Sequence, residues 1–79
     1  MLSKNNNAIS EKLLELVKTC DWKTWCDELP DPLEAKGKIQ AAIVFAEFQL
    51  DETVELTNAG SELVALAIQN VEQAQKEGF

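Results

Sequence analysis

The segment from Pro32 to Leu50 limits the architecture more than any other part of the chain, because it reads as a helix with two apolar faces. Its start is marked by DPLE, in which Asp31 suits the N-cap, Pro32 the first helical position, and Glu34 the closing residue of a capping box. At roughly 100° per residue, Ala35, Ile39, Ala42, Ile43, Ala46 and Leu50 share one face, while Ala41, Val44, Phe45 and Phe48 share the other. Such a helix is either covered on both sides within its own domain, or it buries one face and offers the second to another chain. Gly37 interrupts it at a cost of roughly 1 kcal/mol relative to alanine, and is expected to admit a close backbone approach.

The flanking segments supply partners for the first face. Residues 1–7 are polar and asparagine-rich and read as a flexible tail. From Ala8 to Cys20, residues Ile9, Leu13, Leu16, Val17 and Cys20 fall in a narrow arc with Leu14 outside it, an amphipathic helix for which Asn7 is the expected N-cap. Asp21 can cap a short second helix carrying Trp22, Trp25, Cys26 and Leu29, which Leu29-Pro30 ends. A fourth helix, capped by Thr57 or Ser61 and running to about Lys76, buries Val64, Ala67, Ile68, Val71 and Ala74. Leu63 lies at the margin of that stripe and Leu66 faces out. Gly78 and Phe79 have the pattern of a C-cap glycine followed by an apolar residue that folds back. The expected fold is therefore all-α: one domain over residues 8–79, a small bundle of about four helices, one of them short, with a central two-faced third helix.

Between the third and fourth helices, Asp51 to Leu56 admits helix, loop or strand. Here LTNAG, residues 56–60, resembles the LTxAG that follows the wing of winged-helix proteins. That resemblance implies a second wing strand and a basic recognition helix, and the sequence contains neither.

Several kinds of chemistry lack their residues. Arginine, histidine and tyrosine are absent, which removes the bidentate phosphate clamp, the commonest general acid-base group and the phenol. Cys20 and Cys26 have no histidine to complete a zinc site, and read as buried, reduced thiols. No glycine-rich phosphate loop or activated nucleophile is present, so neither an enzyme nor a cofactor is expected. The longest apolar run, AAIVFA at 41–46, is too short to cross a bilayer, and the polar N-terminal stretch lacks an apolar signal core. These features point to a cytoplasmic protein without a membrane partner.

Charge is distributed unevenly. Of the net −7, residues 1–38 hold seven acids and six lysines, whereas residues 39–79 hold seven acids and one lysine. If the third helix continues past Leu50, Glu47, Asp51 and Glu55 form one carboxylate row with Glu52 beside it. Carboxylates a helical turn apart have spacings similar to those of successive phosphates, so the basic groove of a nucleic-acid-binding protein is a suitable target. The expected function is a non-enzymatic binding module, an inhibitor, antidote or adaptor, that docks a basic protein through Glu47, Asp51, Glu52, Glu55 and Glu62. The alternative is a homodimer joined through Ala41, Val44, Phe45 and Phe48, with the acidity serving solubility. Direct binding of nucleic acid is not expected, because Lys36 and Lys38 are too small a basic cluster.

Overall fold

The computed structural model describes the backbone of residues 4–52 and 56–79, with side chains from residues 8–51 and 56–79. It contains helices α1 (Lys4–Thr19), α2 (Trp22–Asp27), α3 (Pro32–Glu52) and α4 (Asn58–Lys76), and no strand among the described residues. Three starts are set by side-chain caps. Asp21 accepts from the Thr24 amide at 3.3 Å, Asp31 from the Glu34 amide at 3.3 Å, and Thr57 from the Gly60 amide at 3.0 Å. Each satisfies a backbone donor that has no partner inside its helix, a contribution of about 1 kcal/mol.

Two boundaries differ from the sequence reading. Asn7 is not an N-cap: α1 begins at Lys4, so Asn5 to Asn7 are helical. No Pro or Gly separates Lys4 from Ala8, and asparagine costs a helix only about 0.7 kcal/mol or less, so the turn propagates backwards. At the other boundary α3 continues to Glu52, which leaves a strand from Asp51 no room to start. Residues 53–55, and with them Glu55, lie outside the described residues.

α3 packs against all three other helices, and α4 also packs against α1 and α2. Their common core contains Leu13, Trp22, Trp25, Cys26, Ile39, Ala42, Ala46, Val64 and Val71. The two tryptophans, both buried, fill the end of the bundle where α2 meets α3 and α4. Small residues at Ala42, Ala46, Ala67 and Ala74, all buried, let the helix axes approach closely. The bundle measures 39 × 21 × 16 Å, and the 21 residues of α3 span about 31 Å.

The end of α4 is tied to the α1–α2 corner. Gly78 has a positive φ of 96°, which lets the chain reverse so that the Phe79 amide donates to the Ala74 carbonyl at 3.0 Å. Phe79 then packs on the core, and its carbonyl accepts from the Asp21 amide at 2.8 Å. Beside it the Trp25 indole Nε1 donates to Glu77 Oε1 at 2.9 Å, and Gln73 Nε2 to Glu77 Oε2 at 2.8 Å. Glu77 is thus an acid spent on the fold, satisfying an indole N–H that burial would otherwise leave unpaired.

Candidate protein-binding surfaces

Glu47 and Asp51 occupy successive turns of α3 and both are exposed. They form the first two members of the expected row, since α3 does run past Leu50. Glu52 follows in the same helix, and its side chain lies outside the described residues, as does all of Glu55. Glu62 is exposed on α4, opposite the stripe of Val64, Ala67, Ile68 and Val71. No described interaction joins Glu62 to the α3 pair.

Lysine placement separates these acids from four others, although the exposed Glu11 and Glu28 also lack a cation among the described residues. Glu15 is paired with Lys18 at 3.5 Å, Asp27 with Lys36 at 2.6 Å, and Glu34 with Lys38 at 3.4 Å. On α4, Glu72 meets Lys12 of α1 at 3.2 Å. Among the described residues Glu47, Asp51 and Glu62 have no such cation. The exposed pairs contribute only about 0–1 kcal/mol each to stability, but each cancels a local charge. In the C-terminal half the carboxylates without a described polar partner are thus Glu47 and Asp51 at the end of α3 and Glu62 near the start of α4. Glu72 is paired with Lys12, and Glu77 accepts from Trp25 and Gln73, neither of which cancels its charge.

The second face of α3 is open. Val44 is 50%, Phe45 42% and Phe48 59% exposed, with Ala41 exposed between the turns. Phe45 leans toward α4, where it lies beside Gly60. Leu33, at 83% exposure, extends the same apolar line to the N-terminal end of the helix, a residue the sequence reading had not included. Its angular position, two turns before Ala41, was the available signal. Gly37 lies on this line too, and a Cβ built there would meet nothing within 4 Å among the described residues, so none of their backbones closes over it. The close approach expected at Gly37 is therefore absent inside the bundle.

Other arrangements offer little chemistry. Among the described residues no group of three or more histidine, cysteine, aspartate or glutamate side chains is placed to hold a metal ion. Cys20 and Cys26 are free and buried. Burial pushes both thiols up, with Asp21 adding to the effect at Cys20; at Cys26 the Lys36 charge opposes it and Asp27 adds to it. Both therefore stay protonated near neutral pH and are poor nucleophiles. A shallow depression of about 330 Å³ is lined by Leu29, Pro30, Asp31, Glu34, Ala35, Lys38 and Asn70. Its charged groups are already engaged, Asp31 as the α3 cap and Glu34 with Lys38. No described helix is long and apolar enough to cross a membrane.

Sequence reasoning missed two buried polar residues, Ser10 and Gln49, both fully inaccessible. Each sits about 20° beyond the edge of its helix's apolar stripe, Ser10 next to Val17 and Gln49 next to Ala42 in angle, so position hinted at burial although polarity concealed it. Ser10 Oγ makes no hydrogen bond to any described group. Compared with known proteins, the chain matches no family model, no curated protein and no solved structure.

Proposed function

We propose that the chain is a non-enzymatic protein-binding module, an inhibitor, antidote or adaptor, that docks a basic surface through the acidic end of α3 and the start of α4. One observation carries the reading: Glu47 and Asp51 stand on successive turns of one helix, exposed and without a cation among the described residues, as is Glu62 on α4. Glu11 and Glu28, also exposed without a cation, stand apart on α1 and after α2. Like charges on successive turns of a helix destabilise it by a few tenths of a kcal/mol, so Glu47 and Asp51 do not serve the fold. They do produce a negative field that speeds encounter with a positive partner and selects against acidic ones. Their spacing suits a partner whose own site accepts phosphates, such as the basic groove of a nucleic-acid-binding protein. Glu52 and Glu55 belong to the same surface in this reading.

Affinity capture with the wild-type chain and with a Glu47→Lys, Asp51→Lys, Glu62→Lys variant tests it. The wild type should retain a basic protein that salt elutes as the Debye length falls below about 10 Å, and the variant should not retain it although its circular dichroism is unchanged. Equal retention of the same protein by both baits would rule the acidic surface out.

A further inference from the structure

We propose that two copies of this chain pair through the outer faces of α3, with the helices antiparallel. The surface is the line Leu33, Gly37, Ala41, Val44 and Phe48, which runs from the first turn of α3 almost to its last. Its three large members are 83%, 50% and 59% exposed, and with Phe45 they account for four of the five large apolar residues left in water among the described residues. A continuous line of this kind costs solubility unless something covers it.

Two gradients along α3 point to a second copy as the cover. The first is size: the N-terminal half of the line offers Gly37 and Ala41, with open space where a Gly37 side chain would be, and the C-terminal half offers Val44 and Phe48. Antiparallel copies bring the bulky half of one against the small half of the other, so that Phe48 and Val44 of each fill the space over Gly37 of its partner. Parallel copies would stack phenylalanine on phenylalanine and leave the two glycines facing a void. This assigns Gly37 a close approach that the bundle alone does not make.

The second gradient is charge. Between Pro32 and Ala41, α3 carries Glu34, Lys36 and Lys38, one net positive charge; from Ala42 to Glu52 it carries Glu47, Asp51 and Glu52, three negative charges. Antiparallel pairing sets the lysine end beside the acidic end of the other copy and also opposes the two helix dipoles, whereas parallel pairing aligns both acidic ends. Lys36 and Lys38 each already hold an acid of their own chain, so charge selects orientation and register more than it adds affinity. The pairing leaves Glu62 on α4 outside the seam but brings Glu47 and Asp51 beside the lysines of the other copy, so a dimer and a basic partner compete for the acidic end of α3.

Sedimentation equilibrium on the full chain from about 10 µM to about 1 mM should give a mass approaching twice that of one chain. Phe48→Glu should remain helical and sediment as single chains. Gly37→Leu should also remain helical, since the folded chain has room there, and should lose the dimer because its side chain occupies the space needed by the partner. Orientation is read from interchain disulfides under mild oxidation. Ala41→Cys, near the centre of the line, should cross-link to its own copy, while Leu33→Cys should not, because antiparallel copies of that position lie about 24 Å apart. The proposal is overturned by a single-chain mass for the wild type across the whole range, by a Gly37→Leu dimer as tight as wild type, by unfolding of Phe48→Glu, or by Leu33→Cys cross-linking as readily as Ala41→Cys.

Discussion

The two faces of α3 share one backbone, one set of caps and a similar apolar content, yet the bundle treats them in opposite ways. On the inner face Ile39 is 1% exposed and Ala42 and Ala46 are fully buried, because α1, α2 and α4 all converge there. On the outer face Val44 and Phe48 are half or more exposed. Gln49 and Phe48 make the contrast sharpest: adjacent in sequence, the amide is fully buried and the phenyl ring is in water. Position on the helix, rather than residue polarity, decides what is covered. One face is therefore responsible for the stability of the single chain, and the other contributes little to it and is available to other surfaces.

The largest effect expected from breaking this contrast is on the inner face. Ile39→Ala should cost about 2–5 kcal/mol, because Ile39 is 1% exposed in the core and the atoms removed leave a cavity that the surroundings fill only partly. Urea unfolding of the two proteins under identical conditions measures it; a loss below about 1 kcal/mol would mean that the inner face is loosely packed. A smaller effect, of opposite sign, is expected in the middle of the outer face. Gly37→Ala adds a methyl into open space at a helical position, so the single chain should gain about 0.5–1 kcal/mol. Loss of stability at that position in dilute solution would show that something in the chain already approaches Gly37.

Much of the fold is legible in the sequence because its signals are local. Asp21, Asp31 and Thr57 announce helix starts through their own side chains, and the α4 stripe of Val64, Ala67, Ile68, Val71 and Ala74 is buried as its spacing implies. The two faces of α3 follow from angular position alone, although which of them would be covered depends on how the other helices pack. The start of α1 was misplaced because Asn5 to Asn7 are weak helix formers that an adjoining helix can nevertheless recruit. Glu77 and Glu72 looked like members of an acidic half, yet Trp25 and Lys12 take them up across the bundle. Contacts between residues so far apart in sequence leave no local pattern to read.

The division of labour between the two faces is tested most directly by replacing Phe48 with glutamine and measuring the unfolding free energy at protein concentrations where chains are single. An exposed side chain that supports no packing should leave that free energy within about 0.5 kcal/mol of wild type. A loss of about 2 kcal/mol or more, comparable to the cost expected for Ile39→Ala, would place Phe48 in the core and contradict the open face.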